Sequence, residues 1–189
     1  MDRREAVEVL LANRRDLVVV TGLGSPAYDA FAAGDHDRNL YLWGAMGGAI
    51  PLGLGLALAR RDVPVLVLTG DGEALMGLGA LATAGAKRPA NLTIAVLDNG
   101  HYGETGMQAS HTAMGADLAG VAKAVGFAWT ETVSALAGIE AVRPHLEARQ
   151  GLGFLRLVVA AGEPPRALPP RDGHRLKHRL RVALGQDAT

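Results

Sequence analysis

Two oxygen-bearing side chains follow two apolar, strand-like runs and have the chemistry of metal ligands. Asp71 lies in the segment TGDG, Asn99 lies in DNG, and 26 residues separate Gly72 from Asn99. A carboxylate and a carboxamide supply the hard oxygen atoms that Mg²⁺ prefers, alongside phosphate oxygens and water. The sequence therefore predicts a Mg²⁺ site formed by Asp71 and Asn99, with the backbone carbonyl of His101 as a third ligand.

The helix-like run that begins at Gly-Asp-Gly adds a second expectation. Free N–H groups at a helix N-terminus bind phosphate oxygens, but the Asp71 carboxylate would repel a bare diphosphate. A cation between the two removes this conflict, so the pattern predicts a metal-bridged phosphate compound. Asp-Gly and Asn-Gly are also ordinary turn dipeptides, so each of them taken alone also fits a plain turn.

More polar side chains come just past Asn99. His101, Glu104, Thr105 and Gln108 can line the substrate side of the predicted site. His101, Glu104 and Gln108 are therefore candidate catalytic residues, and the sequence singles out none of the three.

An earlier glycine loop, GLGSPA, follows another apolar run. Gly22, Gly24 and Ala27 fit the G-x-G-x-x-A dinucleotide pattern. The next apolar run, however, ends without the acidic residue that would contact a ribose. Three alternatives stay open for this loop: nicotinamide or flavin binding, a plain tight turn, and a supporting phosphate or substrate loop.

The composition narrows the classes of partner. The 189 residues include 19 basic and 19 acidic ones, so the formal net charge is zero, which does not indicate binding to nucleic acid or to an anionic membrane. There is no cysteine, which excludes disulfides, thiolate metal sites and iron–sulfur clusters. No segment resembles a signal peptide or a membrane-spanning helix, so we expect a cytoplasmic protein without membrane or nucleic-acid partners.

Strand-like and helix-like segments alternate along the chain. DLVVVTG, VPVLVLTG, NLTIAVLD and GFLRLVVAAG are continuous apolar runs, which is typical of strands buried on both faces of a sheet. Alternation with helices predicts an α/β fold, a doubly wound and mainly parallel sheet with helices on both faces. We expect one domain over residues 1–162 and a Pro-rich, basic C-terminal tail over residues 163–189.

The motif Gly70-Asp71-Gly72, followed after 26 residues by Asn99, resembles the cofactor motif of the thiamine-diphosphate-dependent enzymes. VVVTGLGSPAYD, LYLWGAMGGA, GDGEALMGLGALAT and NLTIAVLDNGHYGETGMQ also occur in the order of the diphosphate-binding half of sulfopyruvate and phosphonopyruvate decarboxylases. The resemblance spans roughly residues 1–185. It implies a thiamine-diphosphate-binding fold, thiamine diphosphate and Mg²⁺ as cofactors, and a lyase that decarboxylates a small 2-oxo acid.

The resemblance also assigns residues to the cofactor. Met46 would support its bent shape, and the backbone of Gly44 and Met46 would meet the aminopyrimidine ring. Glu73 stands where these enzymes usually have Ser or Ala, so its side chain is expected to turn away from the diphosphate. The implied cofactor-binding residues are Thr21, Gly22, Gly44, Met46, Gly70, Asp71, Gly72, Glu73, Asn99, His101, Tyr102 and Gly103.

The activating glutamate of these enzymes belongs to a second α/β domain. The resemblance therefore implies a separate pyrimidine-binding α/β subunit that carries this glutamate, and a hetero-oligomer such as α₂β₂ as the active form. Three other functions stay open: an acetolactate-synthase-like carboligase subunit, a nicotinamide-dependent oxidoreductase and a non-catalytic cofactor-binding subunit.

Overall fold

The computed structural model describes residues 1–186, in which helices and strands alternate. In chain order the elements are α1 (Arg3–Leu11), β1 (Val18–Thr21), α2 (Ser25–Ala32), β2 (Asn39–Tyr41), α3 (Ala49–Ala59), β3 (Val65–Gly70), α4 (Asp71–Met76), α5 (Gly79–Lys87), β4 (Leu92–Asp98), β5 (His101–Tyr102), a 3₁₀ helix (Gly103–Thr105), β6 (Gln108–Ala109), α6 (Leu118–Ala124), β7 (Trp129–Val133), α7 (Leu136–Ala148), β8 (Gly153–Val158) and α8 (Gly173–Ala183).

Six strands form one parallel sheet in the order β2-β1-β3-β4-β8-β7. Every residue of β1 and β4 is buried, as expected for central strands made of continuous Val, Leu and Ile runs. The short strands β5 and β6 form a separate antiparallel hairpin. The predicted α/β fold with a parallel sheet is confirmed.

Helices cover both faces of the sheet and divide the core into two layers. On one face α1, α2 and α7 pack against alternate strand residues such as Val19, Leu66 and Leu155. On the other face α3, α5 and α6 pack against the residues in between, such as Val20 and Val67. This two-sided burial explains why the strand sequences do not alternate between apolar and polar residues.

The strand order reverses next to β1, and this point positions the site. From β1 the chain moves outward to β2 and then crosses back to β3 on the other side of β1. In open parallel sheets, ligands bind beyond the carboxyl ends of the strands at such a switch point. The loops that follow β1, β3 and β4 therefore meet at one edge of the sheet.

The helix expected after Gly-Asp-Gly is divided into two shorter helices. α4 ends at Met76 and α5 begins at Gly79. The interruption lies where Gly77 meets the Gly47 backbone: a Cβ placed on Gly77 would lie 2.6 Å from the Gly47 carbonyl oxygen. The close approach of two backbones, which no apolar periodicity signals, accounts for the difference.

The C-terminal segment that the sequence predicts as a Pro-rich, basic tail contains a helix that packs against the sheet. Residues 163–172 have no regular structure, but α8 returns to the sheet with Leu176 and Leu180 only 1% and 6% exposed. Arg179 on the same helix binds the Asp35 carboxylate through two hydrogen bonds of 2.7 and 3.1 Å. Leu176 and Leu180 stand four residues apart on one helical face. Leu176 packs into one core layer and Leu180 into the other. Residues 187–189 lie outside the described part of the chain.

Within residues 1–186, no helix combines the length and the apolar character needed to cross a membrane.

Candidate functional site

A cleft lies at the carboxyl ends of β1, β3 and β4 and collects most of the residues that the sequence singled out. Parallel pairing of β3 with β4 sets Gly70 beside Leu97, so the two loops that follow these strands leave the sheet side by side. The predicted residues that line the cleft are Met46, Gly70, Asp71, Gly72, Glu73, Asn99, His101, Tyr102, Gly103, Glu104 and Thr105.

Asp71 is held in a fixed position at the start of α4. Its side chain is almost fully buried, at 2% exposure. Ser110 Oγ donates a hydrogen bond to Asp71 Oδ2, and Thr112 Oγ1 lies 3.0 Å from the same oxygen. Burial raises the pKa of Asp71, and the two hydroxyl groups oppose that rise. Because both hydroxyls use Oδ2, Oδ1 is the oxygen that can face a cation.

A second carboxylate, that of Asp98, contacts the same Thr112 hydroxyl group as Asp71. Thr112 Oγ1 is also 2.8 Å from Asp98 Oδ1, at the end of β4, and its single proton can serve only one carboxylate at a time. The other Asp98 oxygen accepts a hydrogen bond of 2.6 Å from Arg156 Nε. The sequence alone missed the supporting role of Ser110 and Thr112, although both lie in the segment that follows the predicted ligands.

Asn99 starts a tight turn that places His101. Asn99 Oδ1 accepts a 2.9 Å hydrogen bond from the His101 backbone N–H, which leaves a second lone pair on this amide oxygen. The His101 ring nitrogen Nδ1 lies 2.8 Å from the Asn99 carbonyl oxygen. A carbonyl oxygen only accepts, so Nδ1 must carry the hydrogen, and Nε2 of the neutral ring is the free acceptor.

Tyr102 lies directly against the Gly-Asp-Gly loop. A Cβ placed on Gly72 would lie 2.5 Å from Cδ1 of the Tyr102 ring, so this contact requires glycine. The phenol oxygen of Tyr102 is 3.1 Å from His111 Nδ1. Gly72 thus allows an aromatic ring to close one side of the cleft.

The Met46 loop enters the cleft through unusual backbone geometry. Ala45 and Gly47 both have positive φ, 54° and 88°, on either side of Met46. The Gly47 backbone touches Gly77, which fixes the loop against the end of α4. Met46 therefore lines the cleft from the α3 side.

Glu73 does not point to solvent. Its side chain is 5% exposed, and Oε2 accepts hydrogen bonds from Thr69 Oγ1 at 2.8 Å and from the Leu23 N–H at 3.2 Å. Oε1 accepts a longer one, 3.3 Å, from the Gly47 N–H. Burial raises the pKa of Glu73, and these donors oppose the rise. The side chain thus joins the three glycine-containing loops.

The remaining predicted residues are not on the cleft lining. Thr21 is fully buried at the end of β1, and its hydroxyl has no hydrogen-bond partner within residues 1–186. Gly44 is exposed, and Gln108 is exposed and bonded to Thr105. Gly22 lies just behind the Glu73 carboxylate. The roles assigned to these four residues, like those of the residues that line the cleft, stay predictions.

We call the part of the cleft at Asp71 and Asn99 the metal end, and the part around Leu23 and Gly47 the phosphate end. The metal end fits a Mg²⁺ ion, whereas the phosphate end fits a phosphate group less well. Residues 1–186 contain no group of three or more His, Asp or Glu side chains that could hold a metal. An ion at Asp71 would therefore use Asn99, backbone oxygen atoms and oxygen atoms of a bound compound, which suits Mg²⁺. The free N–H groups at the start of α4 suit phosphate, but the Glu73 carboxylate fills the space around Leu23 and Gly47.

Comparisons with known proteins agree with this geometry. Residues 28–152 match the family described as thiamine pyrophosphate enzyme, C-terminal TPP binding domain. The sulfopyruvate decarboxylase subunit beta of Methanothermobacter thermautotrophicus is 42% identical over 127 residues, 67% of this chain and 68% of that protein. The phosphonopyruvate decarboxylase of Streptomyces viridochromogenes is 38% identical over 161 residues, 85% of this chain and 40% of that protein.

A solved structure is similar to this chain in its fold as well as in its sequence. A thiamin diphosphate-dependent enzyme from Mycobacterium smegmatis superposes with a TM-score of 0.72 at 26% identity, and the match covers 86% of this chain and 32% of that one. The chain thus spans about a third of that structure and two fifths of the phosphonopyruvate decarboxylase. It belongs to the thiamine pyrophosphate enzymes, and the part of the family that it matches is the C-terminal TPP binding domain.

Proposed function

We propose that this chain is the thiamine-diphosphate- and Mg²⁺-binding subunit of a two-subunit 2-oxo acid decarboxylase. The observation that carries the proposal is the position of Asp71 and Asn99 at the ends of the neighbouring strands β3 and β4, in one cleft with Met46. Relatives named sulfopyruvate decarboxylase and phosphonopyruvate decarboxylase support a small 2-oxo acid with a second anionic group as the substrate. A cytoplasmic location stays a prediction.

The residues of this chain divide the work between holding the cofactor and handling protons. When bound, thiamine diphosphate supplies the electron sink that decarboxylation of a 2-oxo acid requires. Asp71, Asn99 and the His101 carbonyl would hold the ion, and the N-terminus of α4 would face the phosphates. His101 lines the cleft, and a ring whose Nδ1–H donates to the Asn99 carbonyl leaves Nε2 as an acceptor, so His101 is a candidate for moving a proton.

The proposed partner is a pyrimidine-binding α/β subunit that carries the activating glutamate. The relative from Methanothermobacter thermautotrophicus has the name of a beta subunit and aligns over most of its length. An apolar surface next to the cleft supports this proposal, because Met76, the last residue of α4, and Leu78, just after it, are exposed, and Leu52 is exposed on α3. The Gly47–Gly77 contact brings this surface next to the Met46 loop. We infer that the partner covers it, in a hetero-oligomer such as α₂β₂.

The test combines this chain with the α/β protein encoded by a neighbouring gene. We expect co-elution in size-exclusion chromatography and carbon dioxide release by the mixture that exceeds that of either chain by at least ~100-fold, since acid–base assistance alone contributes ~10²–10⁴ in rate. The substrate panel contains pyruvate, sulfopyruvate, phosphonopyruvate and branched 2-oxo acids. Asp71→Ala should abolish turnover, and Glu140→Gln, an exposed carboxylate on α7, is the control for a change of charge.

Each alternative function gives a different result. Two-carbon transfer to an acceptor without free aldehyde would indicate a carboligase subunit. Cofactor binding without turnover of any 2-oxo acid, with the partner present, would indicate a non-catalytic binding subunit. Nicotinamide rather than thiamine in the bound fraction would overturn the proposal.

A further inference from the structure

One buried carboxylate has a set of hydrogen-bond donors that would equally suit a phosphate group. Glu73 accepts hydrogen bonds from the backbone N–H groups of Leu23 and Gly47 and from the Thr69 hydroxyl, at distances of 2.8–3.3 Å. We call these three donors the amide cradle. They come from the loop after β1, the loop before α3 and the end of β3, so the cradle joins three separate segments of the chain.

The chemistry of the cradle is that of an anion site. Convergent backbone N–H groups near a helix N-terminus are donors that bind phosphate and carboxylate oxygens. Gly47 lies just before the 11-residue helix α3, whose positive end adds to the attraction. The Glu73 carboxylate thus meets its donors from within the chain, at a place that lines the predicted cofactor cleft.

Gly22 supplies the space that the carboxylate uses. A Cβ placed on Gly22 would overlap Glu73 Oε2. Gly22 is not among the glycines with positive φ, so its backbone conformation does not by itself require glycine. Close approach of an anion to the backbone therefore explains the absence of a side chain there.

We propose that Glu73 is a built-in competitor for the diphosphate: its carboxylate occupies the amide cradle and must leave before a cofactor phosphate can use the same donors. The inference rests on the proposed binding of thiamine diphosphate to this cleft. Two anions cannot share the cradle, because they would overlap and repel each other over a short distance in a largely buried place. Affinity for the cofactor is therefore set partly by the free energy needed to displace Glu73.

Calorimetric titration of the full chain in Mg²⁺ tests the proposal with three probes: thiamine diphosphate, inorganic pyrophosphate and thiamine. For Glu73→Ala we expect about tenfold or tighter binding of both phosphate compounds and unchanged binding of thiamine, since charge repulsion at short range has that magnitude. Glu73→Gln, which keeps the shape and loses the charge, should give a smaller gain. Thermal unfolding with and without pyrophosphate shows whether each variant is folded, and the pyrophosphate-induced rise in Tm should be larger for Glu73→Ala than for the native chain.

A control variant separates occupation of the cradle from general electrostatics. Glu140 is an exposed carboxylate on α7, and it does not line the cleft. Glu140→Gln makes the same change of net charge as Glu73→Gln and should not reproduce the gain. An equal gain in Glu140→Gln would overturn the proposal in favour of long-range charge.

The outcomes also separate this inference from the proposed function. If the native chain binds thiamine diphosphate and Glu73→Ala binds it no more tightly, Glu73 is not a competitor and only the inference fails. If neither chain binds thiamine diphosphate, alone or with the partner, the proposed function fails as well.

Discussion

The two ends of the cleft are prepared for a ligand in opposite ways. At the metal end, Asp71 is buried and supported by Ser110 and Thr112 at Oδ2, and Oδ1 is the oxygen proposed to bind the cation. At the phosphate end, the donors around Leu23 and Gly47 are already bound to a side chain of the chain itself.

The difference indicates that the metal end favours ligand binding, whereas the phosphate end opposes it. A metal site that is rigid before the ion arrives requires little rearrangement. A cradle that holds an internal anion must be emptied first, which reduces the apparent affinity. Variants at the metal end should therefore lose binding, and removal of Glu73 at the other end should strengthen it.

The largest expected effect is the loss of the carboxylate ligand. Asp71→Ala removes the one anionic ligand proposed for Mg²⁺, and we expect thiamine diphosphate binding to weaken by on the order of 100-fold or more. Asn99→Ala removes a neutral ligand and should lose less. Titration with Mg²⁺ and again with a chelator measures both losses. Asp16→Ala, an exposed carboxylate that pairs with Arg38, is the control; unchanged affinity in both site variants would remove this metal site from consideration.

A smaller effect should follow from the loss of support behind Asp71. Thr112→Val keeps the side-chain volume and removes the hydroxyl that contacts Asp71 and Asp98. We expect Mg²⁺-dependent binding to weaken by about 10-fold, because groups that orient a metal ligand contribute ~10–100-fold in metal affinity. Thr83→Val is the matched control, since Thr83 lies exposed on α5. Equal affinities in the two variants would mean that the hydroxyl does not orient Asp71.

The smallest effect should come from crowding at the Gly-Asp-Gly loop. Gly72→Ala would push a methyl group against the Tyr102 ring, and overpacking of this kind costs about 1–3 kcal/mol. Thermal unfolding should show a Tm lowered by about 2–4 °C for each kcal/mol in a chain of this size. Gly79→Ala meets no atom within 4 Å at the start of α5, so its Tm should stay the same or rise. A stable Gly72→Ala variant would contradict the packing of Tyr102 described above.

Much of the metal end could be predicted because strand geometry determines it. Continuous apolar runs identify β3 and β4 as buried parallel strands, and residues that follow neighbouring parallel strands leave the sheet at the same edge. The sequence therefore placed Asp71 and Asn99 at the same edge of the sheet, where they line one cleft. It did not predict Ser110 or Thr112 as supports, because a hydrogen bond across 39 or 41 residues depends on the path of a loop, which has no periodic signal.

The phosphate end and the C-terminus show what local patterns leave out. The resemblance indicated that Glu73 should turn away from a diphosphate, but the sequence does not specify that its carboxylate would bond to Leu23 and Gly47. In the C-terminal segment, the prolines and basic residues suggested a tail outside the core. The four-residue spacing of Leu176 and Leu180 was the signal in the sequence for a packed helix. Burial of these two side chains stabilises the helix even though the segment before it is rich in proline.

The contact between Gly47 and Gly77 links events outside the cleft to its interior. A Cβ on Gly77 would lie 2.6 Å from the Gly47 carbonyl oxygen, and a Cβ on Gly47 would lie 3.3 Å from the Gly77 nitrogen. Met76 and Leu78 flank Gly77, so a shift of this segment would also displace the Met46 loop that packs against it. A protein that contacted Met76 or Leu78 would therefore also influence the position of Met46 in the cleft.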